Sequence, residues 1–228
     1  MIKEYFFESK QALQAQLEQD LLAQVDLALA SAGKASLLLS GGSTPGPVYE
    51  ALGKVLDPRV QVALVDDRWV ALDHKGSNEA LLRNCFPAQQ VIGMKTPDAK
   101  PQAAVAAVNQ AYQQLHQPFA ITVLGMGPDG HTASLFPNAE GLDAALAETA
   151  PNCVAITAKQ SAVTGELVDR MTLSLNGILN SKKLILLITG DDKLAVYQQA
   201  KTVNNISDMP VAAVLQQQQV DLDVYWAK

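Results

Sequence analysis

The stretch ASLLLSGGSTP, residues 35–45, joins a short aliphatic run to a pair of glycines and a Ser-Thr-Pro sequence. Residues 35–39 are typical of a buried β-strand, because the run is short, aliphatic and bounded by chain breakers. The glycine pair turns the chain, and the pattern of residues 48–56 predicts a helix soon after it. The order strand, glycine turn, helix is the repeating unit of an α/β fold.

The same alternation of apolar runs and helical patterns continues along the chain. In residues 10–32 an apolar residue recurs every fourth position, which predicts one long helix with Gly33 as its C-cap. Further helices are predicted at residues 77–85, with Ser77 as N-cap, at 102–116, and after the turn at 190–193 as far as residue 200. Further strands are predicted at residues 2–7, 60–65, 91–94, 119–124, 154–157, 171–175, 184–189 and 220–226. Residues 66–76 are predicted to form a polar loop.

This order of elements predicts an α/β fold in which helices cover both faces of a mostly parallel sheet. We expect residues 1–228 to form one domain. In such sheets ligands bind beyond the carboxyl ends of the strands. The unusual polar segments at residues 41–44, 66–68, 125–131 and 190–193 each follow a predicted strand. We therefore expect these four segments to converge on one crevice.

Composition and charge exclude several classes of protein. The 228 residues are 48% hydrophobic, which argues against a disordered chain. The net charge of -6 argues against a nucleic-acid partner, which would require a basic surface. Cys85 and Cys153 lie too far apart for a zinc motif or a disulfide framework. We see no secretory leader and no run long enough to span a bilayer, so we expect a cytoplasmic protein without a membrane partner.

Two glycine-rich segments are candidates for binding chemistry. Gly41, Gly42, Ser43 and Thr44 could form an anion cradle at a helix N-terminus, or only a tight turn with a helix cap. Residues 125–130 match the pattern G-x-G-x-x-G of dinucleotide sites. That interpretation is disfavoured, because the nearest acidic residue at the right distance, Glu148, comes before the next strand begins.

Histidine and the cations supply the remaining candidates. His131 follows the second glycine loop and is suited to proton transfer near neutral pH, although a lone histidine is more often structural. His74 lies in a polar loop and could have either role. The scattered histidines predict no metal site. Arg68 and Lys193 follow strand ends and are pocket candidates together with residues 41–44, although each alone is typical of a surface charge.

Five segments together resemble the 6-phosphogluconolactonases of the glucosamine-6-phosphate isomerase/6-phosphogluconolactonase family. They are residues 37–45, residues 66–70 with Ser77 and Asn78, residues 125–137, residues 170–173 and residues 189–193. The resemblance spans nearly the whole chain in the order of the family. Residues 125–137 are its most specific part.

The resemblance implies a glucosamine-6-phosphate-isomerase-like fold and hydrolysis of 6-phospho-D-glucono-1,5-lactone in the oxidative pentose phosphate pathway, without a metal or other cofactor. It implies that His131 is the general base, that Asp129 orients the base or the water, and that Arg68 holds the sugar or the oxyanion. It assigns the phosphate to Gly42, Ser43, Arg170 and Lys193. We group Gly41, Thr44 and Asp66 with these binding residues.

The sequence departs from the family at three places. Asp67 stands where the family usually has glutamate, Ala71 stands where it has proline, and residues 167–169 replace prolines that commonly precede Arg170. A shorter carboxylate at position 67 leaves the role of this position open.

Two alternative functions remain. An amino-sugar-phosphate isomerase or deaminase would share the fold, but its histidine is usually followed by a segment that supplies a carboxylate, and residues 133–137 contain none. A non-catalytic sugar-phosphate sensor would often carry a DNA-binding segment, which is not visible here. In each case the expected partner is a small sugar phosphate, and we expect a monomer or a weak homodimer.

Overall fold

A seven-stranded parallel sheet and a three-stranded antiparallel sheet organise the computed structural model, which describes residues 1–228. The strands are β1 (Ile2–Phe7), β2 (Ala35–Leu39), β3 (Val60–Leu64), β4 (Asp66–Arg68), β5 (Val91–Ile92), β6 (Ile121–Gly125), β7 (Cys153–Thr157), β8 (Asp169–Leu173), β9 (Leu184–Thr189) and β10 (Leu222–Ala227). The helices are α1 (Lys10–Ala32), α2 (Gly46–Leu52), α3 (Asn78–Cys85), α4 (Pro101–Tyr112), α5 (Leu142–Leu146), α6 (Leu175–Leu179), α7 (Asp191–Ala200) and α8 (Val211–Gln216). Short 3-10 turns occupy Ala88–Gln90 and Ile206–Asp208.

The large sheet has the strand order β1-β10-β9-β6-β2-β3-β5, and all its pairs are parallel. Helices cover both of its faces. Tyr225 on β10 donates a hydrogen bond to Asp20 of α1, whereas Glu4 on β1 accepts one from Tyr197 of α7. Because side chains alternate along a strand and Glu4 lies opposite Val224, the two contacts fall on opposite faces. The predicted α/β class is therefore confirmed.

The core consists of 60 buried apolar residues between the sheet and its helices. The periodicity predicted for α1 is confirmed, since Leu13, Leu17, Leu21 and Val25 are almost fully buried. Ser9 caps the start of this helix, and Gly33 ends it with a φ of 70°, a left-handed conformation that glycine adopts without strain. No helix is both long and apolar enough to cross a membrane.

The predicted loop at residues 66–76 is wrong at its start. Residues 66–68 form β4, which pairs with β8 in the small antiparallel sheet of order β4-β8-β7. The charged sequence Asp-Asp-Arg has low strand propensity, and only the partner strand makes it extended. The predicted strand at 171–175 is also shifted, because it ends at Leu173 and Leu175 begins α6. Helices α5, α6 and α8 were not predicted.

Candidate active site

A cavity of about 380 Å³ opens at the carboxyl ends of the central strands. Its wall includes Gly41 and Gly42 after β2, residues 125–128 at the end of β6, and Lys193 in the first turn of α7. Asp66, Arg68, His131 and Arg170 complete the polar lining. The predicted convergence of four distant segments on one crevice is confirmed.

His131 is held by a compact turn that begins at the end of β6. Its Nδ1 lies 2.5 Å from Oδ1 of Asp129, and its backbone N–H donates to the same oxygen. Burial alone would raise the pKa of Asp129, but the hydrogen bonds and charge of His131 lower it overall. Asp129 therefore accepts from Nδ1–H, which leaves Nε2 of the imidazole free.

Gly127 makes room for this histidine. A Cβ at Gly127 would lie 2.1 Å from both Cε1 and Nδ1 of His131 and 2.7 Å from Oδ1 of Asp129. The amide of Gly127 donates to the His131 carbonyl over 2.9 Å, which closes the turn. Asp129 does not line the cavity, because it lies behind the imidazole ring.

The small antiparallel sheet places three charged side chains on the cavity wall. Arg68 lies opposite Arg170, and Asp66 lies opposite Thr172. Directly opposed residues share a face, as do residues two apart, so Asp66, Arg68 and Arg170 face the cavity together. A guanidinium N–H of Arg68 donates to the Gly76 carbonyl, and Nε of Arg170 donates to the Leu167 carbonyl, each over 2.9 Å.

The cations of the wall have no carboxylate partner. Arg68, Arg170 and Lys193 form no salt bridge within the chain. Burial lowers the pKa of Arg170 to about 10 and lowers the pKa of Lys193 below its ordinary value. Partly buried, unpaired positive charges are costly unless an anion compensates them, so this wall is suited to an anionic ligand.

The two neighbouring aspartates have different surroundings. Asp66 lines the cavity, and its Oδ2 accepts from the Ser134 hydroxyl over 2.5 Å. Asp67 faces α3 and accepts from the backbone amides of Arg68, Asn78 and Glu79. Burial raises the pKa of Asp67 to about 6, against the opposing effect of these hydrogen bonds. Asp67 therefore ties β4 to the start of α3 and lies outside the cavity.

The glycine loop after β2 offers backbone donors. The amides of Gly41, Gly42, Ser43 and Thr44 donate to no acceptor within the chain. Gly42 has a φ of 119°, which favours glycine, and a Cβ at Gly41 would lie 2.0 Å from Oδ1 of Asn78, so a side chain at position 41 would displace the Asn78 amide. Ser43 and Thr44, which were expected to bind the phosphate, do not line the cavity. Gly41 and Gly42 therefore offer two unpaired backbone N–H groups at the cavity wall, and such groups favour anion binding.

Several lining residues lay outside the candidates derived from the sequence. Asn78, Ala133, Phe136 and Val163 contribute to the cavity wall. The first three fall within segments that carry the family resemblance, which is the signal that could have identified them. Val163 comes from the loop between β7 and β8, where the sequence has no distinctive pattern. His74 lies outside the cavity, and its Nδ1 accepts from the Gly76 amide.

Comparisons with known proteins agree with this arrangement. A family model described as glucosamine-6-phosphate isomerases/6-phosphogluconolactonase matches residues 8–226. A 6-phosphogluconolactonase of Rhizobium meliloti (strain 1021) is 34% identical over 230 residues, which cover 98% of this chain and 97% of the relative. The crystal structure of a 6-phosphogluconolactonase from Shewanella baltica OS155 has a TM-score of 0.92 and 34% identity, covering 100% of this chain and 98% of that one. A monomeric glucosamine-6-phosphate deaminase has a TM-score of 0.76 at 17% identity, covering 99% and 97%, and shares the fold alone.

Proposed function

Because the chain belongs to the glucosamine-6-phosphate isomerase/6-phosphogluconolactonase family, we propose that it hydrolyses 6-phospho-D-glucono-1,5-lactone to 6-phospho-D-gluconate. This reaction is the second step of the oxidative pentose phosphate pathway. The observation that carries the proposal is the His131–Asp129 pair in a cavity with three unpaired cations. A general base next to positive charge is the combination that hydrolysis of an anionic lactone requires.

His131 is the general base in this proposal. Its free Nε2 takes a proton from water while the water oxygen bonds to the lactone carbonyl carbon. Asp129 holds Nδ1–H and stabilises the imidazolium that forms. When the ring C–O bond of the tetrahedral intermediate breaks, the imidazolium returns its proton to the leaving oxygen, so the histidine ends neutral. The scheme uses no metal or other cofactor.

The cations divide between the two ends of the substrate. Arg68 stabilises the oxyanion or holds the sugar, and Asp66 accepts from a sugar hydroxyl through the oxygen that Ser134 does not occupy. Arg170 and Lys193 hold the 6-phosphate with the amides of Gly41 and Gly42. Ser43 and Thr44 do not line the cavity and have no part in this binding. Phosphate binding far from the lactone carbonyl positions the reacting carbon.

We also propose a cellular compartment, a ligand and an oligomeric state for this enzyme. We place it in the cytoplasm, where its free thiols Cys85 and Cys153 remain reduced. A small sugar phosphate is its ligand, and it acts as a monomer or a weak homodimer.

Two other functions would use the same cavity. A deaminase would need a carboxylate in the segment after His131, and residues 133–137 supply none. Release of ammonia from glucosamine 6-phosphate by the purified protein would favour that function. Tight binding of 6-phospho-D-gluconate without turnover of the lactone would instead favour a sensor.

The direct test is hydrolysis of freshly prepared lactone without added metal and with a chelator present. We expect turnover well above the spontaneous rate, and a loss of about 10²-fold or more in kcat for His131→Ala. His116→Ala is the matched control, because His116 follows α4 outside the cavity lining and should keep full activity. Absence of acceleration by the wild-type protein would refute the proposed function, and near-normal turnover by His131→Ala would remove this histidine from the role of base.

A further inference from the structure

The Phe136 ring contacts two of the groups used in the proposed reaction. Its centroid lies 4.2 Å from that of the His131 imidazole, with an angle of 34° between the planes. The guanidinium carbon of Arg170 lies 5.3 Å from the same centroid. Phe136 is only 4% exposed and forms part of the cavity wall. The face of an aromatic ring carries partial negative charge, so this ring attracts cations on both neighbours.

The backbone after His131 fixes the position of this ring independently of the imidazole. Ala133 has a φ of 49°, in the left-handed region that alanine rarely adopts. The conformation is held by Ser134, whose amide donates to the Thr172 hydroxyl and whose own hydroxyl donates to Asp66. The chain therefore reverses between His131 and Phe136, with Ser134 anchored on the small sheet.

We propose that Phe136 is a positioning residue for His131, which fixes the plane of the imidazole and stabilises the imidazolium formed during turnover. This inference rests on the proposed lactone hydrolysis. The histidine gains a proton from water in the first step and returns it to the leaving oxygen in the second. An aromatic face favours the charged form of the ring and changes little for the neutral form. Phe136 thus adds to the effect of Asp129, which stabilises the imidazolium from the Nδ1 side.

The other charges around His131 are still present when Phe136 is replaced, and among them only Arg170 also contacts the ring. They are Asp129 on its own loop, Asp66 and Arg68 on β4, Arg170 on β8 and Lys193 on α7. The carboxylates favour the imidazolium, whereas the three cations oppose it. Phe136→Tyr keeps the aromatic face beside both His131 and Arg170, so a change in the protonation of His131 that occurs in Phe136→Leu and not in Phe136→Tyr reports the loss of that face.

The test is Phe136→Leu, which keeps an apolar side chain and removes the π-face. We expect kcat to fall by about three- to tenfold, because the imidazole plane is no longer fixed. We expect the acidic limb of the kcat/KM profile to move to lower pH by about half a unit, because the imidazolium loses its aromatic contact. Phe136→Tyr keeps the aromatic face and should restore the position of that limb.

Phe86→Leu is the matched control. Phe86 is 3% exposed, packs against the tilted ring of Tyr49 and lies outside the cavity, so this variant should lose stability and keep the wild-type pH profile. The titration of the His131 ring protons by NMR gives a second readout that does not need activity. The midpoint of this titration should move to lower pH in Phe136→Leu, as the acidic limb does, and should stay unchanged in Phe86→Leu.

These readouts separate the inference from the proposed function. An inactive wild-type protein would remove lactone hydrolysis, while the NMR titration would still test the contact between the rings. The inference would be overturned if a folded Phe136→Leu variant kept the wild-type midpoint of the His131 titration and the wild-type pH profile of kcat/KM. If that variant does not fold, Phe136→Met, whose unbranched side chain can adapt to the space left by the ring, should show the same shift, and a wild-type midpoint there would overturn the inference equally.

Discussion

Gly127 determines where the candidate base can lie. The imidazole of His131 occupies the space that a side chain at position 127 would fill. We predict that Gly127→Ala lowers kcat by about 10- to 100-fold, because the added methyl group displaces the ring from the water that it activates. The measurement is steady-state hydrolysis of fresh lactone, together with thermal unfolding.

A substitution at a second glycine is the control for this prediction. It shows how much kcat changes when a glycine is replaced without displacing His131. A Cβ at Gly46 would have no atom within 4 Å, and the φ of this residue is ordinary, so Gly46→Ala should keep wild-type kcat. Equal kcat values for Gly127→Ala and Gly46→Ala would mean that the observed position of His131 is not required for turnover.

Lys193 gives a pH dependence whose sign follows from its burial. Burial lowers the pKa of this amine, and an anionic phosphate favours its charged form. Affinity for 6-phospho-D-gluconate should therefore fall as the pH rises through the lowered pKa, by about tenfold once the charge is lost. Calorimetric titration of the product from neutral to alkaline pH measures the effect.

Lys193→Arg supplies the control for this prediction, since a guanidinium stays charged over the same range. The variant should retain its affinity to higher pH than the wild type does. Identical alkaline losses in both proteins would place the titrating group elsewhere in the cavity.

At the scale of elements, the site depends on how α3 is attached to β4. Ser77 caps α3 by accepting from the Ala80 amide, and its hydroxyl donates to Asp67. We predict that Ser77→Ala lowers the free energy of unfolding by about 1–2 kcal/mol and also raises KM, because β4 carries Arg68 into the cavity. Denaturant unfolding and lactone kinetics test the two parts separately.

The N-cap of α1 provides a comparison for this helix. Ser9 accepts from the Ala12 amide over 3.1 Å, as Ser77 does from Ala80, but has no contact with the site. Ser9→Ala should cost about 1 kcal/mol and leave KM unchanged. A wild-type KM for Ser77→Ala would show that the link between α3 and β4 does not control the position of Arg68.

At the scale of the whole molecule, the charge of the cavity differs in sign from that of the chain. The net charge is -6, yet the cavity wall carries three cations and one carboxylate, Asp66. A local positive region attracts an anionic sugar phosphate, and dissolved salt screens that attraction. We predict that the Kd for 6-phospho-D-gluconate rises by about threefold or more between about 10 mM and about 0.3 M salt.

The variant Lys193→Ala tests the origin of this salt dependence. With one cation fewer, its affinity should be lower at low salt and should change less as salt is added. A salt dependence as steep as that of the wild type would mean that the attraction arises outside this cavity.

The sequence by itself determined the features that depend on neighbouring residues. The four-residue step in α1 and its C-cap at Gly33 are local signals, because each is contained within one or two turns of a helix. The strand-end positions of the glycine loops also follow from local pattern. Together with the rule that ligands bind at the carboxyl ends of parallel strands, they were enough to predict that the polar segments converge.

Only the tertiary structure decided which side chains of these segments face the cavity. Residues 66–68 are polar throughout, and their extended conformation comes from pairing with β8, a strand far away in the chain. That pairing directs Asp66 and Arg68 to the cavity and Asp67 to α3, because alternate side chains of a strand point to opposite faces. The stack of Phe136 on His131 likewise depends on Ser134 reaching Asp66 and Thr172. Such contacts join residues that the sequence separates widely, and no local pattern contains them.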